Sequence, residues 1–249
     1  MTRLPSSLAT LYLHGWGLHG GIWDGMRAVL PGRAADLPGY GDTPAPTPYT
    51  AETLADALAA DLDAPVHLLG WSMGGMVAQA LAARHPDKVA RLVLVGSSPA
   101  FVNRADWSSG LAPRVLAGFA HDLARDHRAT LLRFLALQAR GGDAARAVVG
   151  RLRTQVFARG EPALAALTAG LELLRAADLR HLAGHIGCPV LVVHGAHDTL
   201  CPVEAGHWLA SRIPGARMAL HPGAAHAPFI SHPDWFADVV GGFLHARSA

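Results

Sequence analysis

The sequence predicts an α/β fold: a mostly parallel central sheet flanked by helices, interrupted by an inserted all-helical block. Three observations carry this. Short apolar runs alternate with helix-like stretches, the rhythm of a parallel sheet covered on both faces. Between Ser98 and about Leu182 the strand signals vanish and helical periodicity takes over. The run Val66-His67-Leu68-Leu69 leads into Gly70-Trp71-Ser72-Met73-Gly74-Gly75 and then into a helical pattern, Met76 to Ala83: strand, tight turn and helix in direct succession.

Taken in order, strands are expected over residues 8–13, 33–36, 66–70, 91–95, 189–194 and 216–221. Helices are expected over 23–29, 51–61, 75–83, 203–212 and 233–245. Pro233 suits the first turn of the last helix, with Ser231 or His232 as its cap. The segment Thr43-Pro-Ala-Pro-Thr-Pro48 reads as a short rigid loop. Inside the inserted block, helices are expected over 113–125, 129–139, 144–158 and 162–175. The domain reading is therefore a core of 1–100 and 183–249 with a helical cap of 101–182. A cap is the better reading because parallel sheets bind ligands at the carboxyl ends of their strands; an extra helical layer on one side is the alternative.

Composition narrows the function classes. A chain of 249 residues, 51% hydrophobic and 16% charged, has an ample core and is not disordered. Net charge is +2 with no dense Lys/Arg run, which argues against a nucleic-acid partner. Lys88 is the only lysine, a bias that follows base composition more than function. No apolar stretch is long enough to span a membrane. The apolar run at 8–13 passes straight into His14-Gly15-Trp16-Gly17 with no cleavage site, so it reads as a core strand and not a signal peptide. Cys188 and Cys201 bracket one strand and suit free thiols in a reducing cytoplasm, a redox pair being the alternative. The expectation is a cytoplasmic monomer.

Gly-x-Ser-x-Gly between a strand and a helix is the nucleophile elbow of an α/β-hydrolase. Holding a serine hydroxyl proud of such a turn needs strained backbone, and flanking glycines remove the side chains that would collide. A serine attacks only when a base takes its proton and an acid fixes that base. In this fold the acid and then the histidine follow the serine in sequence. Asp198 stands just beyond the buried run Pro189-Val-Leu-Val-Val-His-Gly195, and His226 sits among small residues in Gly223-Ala-Ala-His226-Ala-Pro-Phe. His221, His232 and Glu204 are rivals, and Asp36 and Asp42 precede the serine. Oxyanion donors are expected from the amides of Met73 and Trp16. Metal readings fare poorly. His181-x-x-x-His185 lacks a zincin glutamate, and His194-x-x-His197 with Asp198 is better explained by the ordering role of Asp198. No Gly-x-Gly-x-x-Gly follows a strand, so no cofactor is expected.

The chain also resembles the BioH family, the pimeloyl-[acyl-carrier protein] methyl ester esterases of biotin synthesis. The matching segments are His14-Gly-Trp-Gly-Leu18, Asp36-Leu-Pro-Gly-Tyr-Gly41, the elbow, Ser97-Ser-Pro99, Leu116-Ala-Gly-Phe119, Arg133-Phe-Leu-Ala-Leu-Gln138, Gly170-Leu-Glu172, Asp178-Leu-Arg180 and His226-Ala-Pro-Phe-Ile-Ser-His-Pro233. The resemblance implies a triad of Ser72, Asp198 and His226, with Trp16 and Met73 at the oxyanion site. It implies substrate contacts from Trp16, Ser72, Met73 and His226, and an acyl channel lined by Phe134, Leu135, Ala136, Leu137 and Gln138. Arg133 and Arg146 fall where the family contacts its acyl carrier protein; two further such positions hold Ala129 and Gly150, beside Arg128 and Arg151. Arg140 and Arg153 extend a basic face that suits an acidic carrier bearing a pimeloyl methyl ester. With little sequence ahead of the run at 8–13, at least one leading edge strand of the family is expected to be missing or shortened. A general carboxylesterase acting on small-molecule esters, a lactonase, a carbon–carbon bond hydrolase, a haloperoxidase-like enzyme and a non-catalytic ligand receptor share the fold and remain alternatives.

Overall fold

The structure, a computed structural model, describes residues 8–246. Six strands form one parallel sheet: β1 (Thr10–Leu13), β2 (Arg33–Ala35), β3 (Val66–Trp71), β4 (Val89–Val95), β5 (Val190–Gly195) and β6 (Arg217–His221). Their spatial order is β2-β1-β3-β4-β5-β6. Every residue of β1 and β5 is buried, whereas the outer strands β2 and β6 are partly exposed. This is why the inner strands read as unbroken apolar runs and the outer ones do not. The chain steps outward from β1 to β2 and then returns to the other side of β1 as β3. That reversal opens a crevice at the carboxyl ends of β1 and β3, the place where such sheets accept ligands.

The first helical segment is tighter than expected over 23–29: a 3-10 turn, Gly20–Trp23, precedes α1 (Asp24–Arg27). His19 causes it, because its Nδ1 accepts the Gly21 amide and starts the turn early. Then come α2 (Ala51–Ala60), opened by a Thr50–Thr53 capping box, and α3 (Met73–Arg84). Ten of the twelve residues of α3 are buried, so this helix must be small-sided all round, and its Gly and Ala content follows.

Between β4 and β5 lies the helical insertion: α4 (Pro113–Leu123), α5 (His127–Gln138), α6 (Ala145–Val156) and α7 (Leu164–Ala176). Its helices bury one stripe each, Leu116, Phe119 and Leu123 on α4 and Val148, Leu152 and Val156 on α6. Residues 99–112 are not helical; they form a loop with isolated bridges, closed by Trp107, whose Nε1 donates to Ala100 O at 2.9 Å. After β5 come α8 (Val203–Arg212), a short α9 (Pro228–Ser231) and α10 (Pro233–Leu244). His232 occupies the cap position of α10 but makes no side-chain cap bond, and Ser231 belongs to α9, so neither expected cap is made. The expected change to a leading edge strand falls before Leu8 in part, outside the described residues; within them β2 forms that edge.

Candidate active site

The elbow is built by backbone collision. A side chain at Gly70 would run into the Gly74 carbonyl, one at Gly74 into the His14 carbonyl, and one at Gly75 into Ser97. Those gaps let β3 turn into α3 through Ser72, which stands at φ 56°, ψ −120°, the one non-glycine residue with positive φ among those described. Such a conformation costs about 1–3 kcal/mol and persists because the surroundings over-determine it. Ser72 N donates to Val95 O at 3.0 Å, and Ser97 Oγ donates to Ser72 O at 3.0 Å, pinning the turn on both sides.

Asp198 follows β5 and is buried. Its Oδ1 accepts the amides of Leu200 and Cys201, both at 2.9 Å, and its Oδ2 accepts His226 Nδ1 at 2.7 Å. This fixes the His226 tautomer with its proton on Nδ1 and leaves Nε2 as the free acceptor, buried and without a hydrogen-bond partner among the described residues. Ser72 Oγ makes no hydrogen bond there either; apo sites of this type are often loose and tighten when substrate is bound. His226 is tethered to the elbow through its neighbours. Trp71, which precedes Ser72, donates Nε1 to His226 O at 2.9 Å. Gly96, next to the Val95 carbonyl that holds Ser72, lies so close that a Cβ there would be 3.2 Å from His226 Nδ1 and 3.3 Å from Asp198 Oδ2. Ser72 and His226 are 5% and 1% exposed, so the site is covered.

The two expected oxyanion amides, Trp16 and Met73, have no backbone acceptor among the described residues. The Met73 N–H opens α3, where helix geometry leaves it free for an anion. The turn carrying Trp16 is set by His14, whose Nδ1 donates to Gly15 O at 2.8 Å while its Nε2 accepts the Leu37 amide at 2.9 Å. The Leu37 bond needs a neutral ring, and burial pushes the His14 pKa down to about 4. The buried Trp16 indole packs against the insertion: Nε1 donates to Leu167 O of α7 at 2.9 Å, and the ring meets Phe134 of α5 edge-on at 4.8 Å.

Five consecutive residues of a helix cannot all line one channel. Phe134, Leu135 and Gln138 are buried, Gln138 with an unpartnered Oε1, but Ala136 is exposed and Leu137 half-buried. Ala136 and Leu137 instead line an outer groove of about 660 Å³ with Arg140, Arg146 and Arg153. Those three arginines have no ion-pair partner among the described residues, whereas Arg133 is paired with Asp122 at 2.6 Å. The insertion also grips the His226 loop directly. Gln138 O accepts the His226 amide at 3.1 Å, and Asp143 N donates to Gly223 O at 3.0 Å.

The rivals fall elsewhere. His221 and His232 stack on each other at 3.7 Å, and Glu204 sits in the first turn of α8. His197 is exposed while His194 is fully buried, so the candidate chelate with Asp198 does not assemble; His181 and His185 are exposed on a 3-10 turn. Sequence reasoning missed the supporting residues His14, Trp71 and Ser97. All three fall inside segments that carry the family resemblance, His14-Gly-Trp-Gly-Leu18, the elbow and Ser97-Ser-Pro99, but no chemical signal in the sequence gave them a supporting role.

Residues 11–233 match the α/β hydrolase fold family. The pimeloyl-[acyl-carrier protein] methyl ester esterase of Aromatoleum aromaticum is 46% identical over 243 residues, 92% of this chain and 97% of that one. The enzyme of the same name from Chromobacterium violaceum is 42% identical over 95% of this chain and 94% of its own. The chain belongs to the pimeloyl-[acyl-carrier protein] methyl ester esterase family, on the α/β hydrolase fold. Among solved structures, an esterase from Exiguobacterium antarcticum superposes with a TM-score of 0.85 at 23% identity, covering 98% of this chain and 94% of that one, a likeness of fold alone. Family membership agrees with the site: a strained serine, a buried Asp–His pair and a helical cover are what a carboxylic ester hydrolase of this fold needs.

Proposed function

We propose that this esterase hydrolyses the methyl ester of a pimeloyl chain carried on acyl carrier protein, releasing methanol and leaving the free carboxylate. Ser72 Oγ attacks the ester carbonyl as His226 Nε2 takes its proton, and Asp198 orients the imidazole and balances its charge. The amides of Trp16 and Met73 receive the oxyanion. His226 returns the proton to methanol, and a water activated by the same nitrogen then releases the acid from Ser72. The observation that carries the chemistry is the Asp198–His226 bond of 2.7 Å, which leaves Nε2 as the unpaired acceptor. The substrate rests on relatives that are 38–46% identical over at least 90% of the chain and all bear this name.

The insertion, residues 101–182, serves as the cap, and its groove between α5 and α6 receives the carrier. Arg146 contacts it together with Arg140 and Arg153, with Arg133 at the margin while tied to Asp122. Inward-facing Phe134, Leu135 and Gln138 line the acyl channel. The enzyme acts as a monomer in the cytoplasm, whose reducing environment suits the free thiols Cys188 and Cys201. The test is methanol release from pimeloyl-carrier methyl ester, compared with shorter and longer homologues and with small esters. Failure to release methanol while a short p-nitrophenyl ester is hydrolysed would leave a general carboxylesterase.

A further inference from the structure

We propose that His194 is a positioning residue for the acid of the triad: its Nε2–H pins the turn of residues 198–201 through the Cys201 carbonyl and faces the Asp198 oxygen that holds His226. The inference rests on the triad reading above. His194 is the penultimate residue of β5 and is completely buried. Its Nε2 lies 2.7 Å from Cys201 O, and a carbonyl only accepts, so the proton resides on Nε2. The same nitrogen lies 3.5 Å from Asp198 Oδ2, the atom bonded to His226 Nδ1. Asp198 therefore accepts from three donors, two amides on Oδ1 and His226 on Oδ2, while the His194 Nε2–H, bonded to Cys201 O, faces Oδ2 from 3.5 Å.

The arrangement depends on His194 staying neutral. A charged imidazolium beside Oδ2 would compete with His226 for the carboxylate. Burial holds the His194 ring below its usual range against the pull of Asp198. The titratable groups that bear on it are Asp198, His226, His207 of α8 and the Cys201 thiol; His226 and His207 oppose its protonation, and burial pushes the Cys201 thiol well up so that it adds no charge. On the far side α8 packs tightly: a Cβ at Gly206 would sit 2.7 Å from Nδ1, which has no hydrogen-bond partner among the described residues. The ring thus has one donor, aimed at the acid loop, and no room to turn away. Support of this kind, a buried polar group fixed by its own packing, holds a reacting group in register.

The experiment compares His194→Met with His194→Gln on a short p-nitrophenyl ester, alongside Asp198→Asn. Glutamine places an amide N–H near the position of Nε2, and methionine fills similar space without a donor. His194→Met should lower kcat about tenfold, as expected for one buried hydrogen bond. It should also move the acid limb of kcat/KM upward by about half a pH unit, because Asp198 Oδ2, no longer faced by the positive end of the His194 N–H, attracts a protonated His226 more strongly. His194→Gln should recover most of the rate and return the limb to its original place. A His194→Met enzyme with an unmoved limb, or a His194→Gln enzyme no better than His194→Met, would overturn the inference, since packing alone would then account for the residue. Near-native turnover by Asp198→Asn would instead sink the triad reading itself, which keeps the two failures apart. Should His194→Met not fold, His194→Gln against native enzyme still decides: an unmoved limb supports the role, and a limb displaced by about half a unit or more counts against it.

Discussion

The parallel core and the helical insertion reach the same site by different physics. In the core, Ser72 and Asp198 are placed by backbone: strand ends, carbonyls that forbid a Cβ, and amides that fill the acid's lone pairs. In the insertion, short amphipathic helices touch the site through a few discrete bonds: Trp16 Nε1 to Leu167 O, the His226 amide to Gln138 O, Asp143 N to Gly223 O, and His19 Nε2 to Gln155 O. The insertion is held to the core by these bonds and by apolar packing, its Phe134, Leu167 and Leu171 sharing one buried cluster with the sheet. Ser72 and His226 are covered, and the insertion's bonds attach to the turn carrying Trp16 and to the His226 loop.

The sharpest way to test the core half of this contrast is Ser72→Ala. Turnover of any ester should fall by at least about 10⁴-fold with the melting temperature preserved, because the strained turn remains and only the nucleophile is lost. Turnover near the native rate would remove the elbow from the chemistry.

Next in size is the acid stability of the core. The His14 pKa in the folded chain, about 4, lies below its ordinary 6.5. Between those values the unfolded chain binds a proton that the folded chain refuses, so stability rises with pH there. The contribution, on the order of 3 kcal/mol, is fully present above about pH 6.5 and is lost as the pH falls toward 4. Urea unfolding across that range should show the slope, and His14→Gln should flatten it. An equal slope in the variant would assign the acid sensitivity elsewhere.

The outer groove distinguishes the insertion from the core by substrate. Reversing Arg140, Arg146 and Arg153 to Glu should raise KM for the carrier-borne ester about thirtyfold, with kcat on a small ester unchanged. A parallel loss on both substrates would mean that the groove supports the site and does not dock a partner.

The smallest effect concerns the joint between the two regions. Trp16→Phe keeps the backbone amide but deletes the bond to Leu167 O. A net cost of about 1 kcal/mol is expected, seen as faster amide exchange in α7 and little change in the core strands. Uniform acceleration in both regions would show that core and insertion open as one unit.

Much of the sheet was legible because burial on both faces leaves an unmistakable mark. The runs at Leu11–Leu13 and Val190–Val193 can belong only to inner strands, and the six expected strands correspond to β1–β6 within a residue or two at each end. A boundary failed where a side chain intervened: His19 tightened the first helical turn. Within α5, the reading of five lining residues ignored the helical period, which turns Ala136 outward while Phe134 and Gln138 face in.

Sequence alone determined the kinds of group and their order: a serine between glycines, then an acid, then a histidine, on strands that must be parallel because their apolar runs are continuous. Those are local and periodic facts, written in neighbouring residues. Tertiary structure decided which of fifteen histidines meets Asp198, how Trp71 and Gly96 bring it to the elbow, and that His194 stands behind the acid. These choices depend on distances between residues far apart in the chain, such as the 28 positions separating Asp198 from His226. Only the packed sheet converts such separations into hydrogen bonds, because its parallel register brings distant strand ends to one edge.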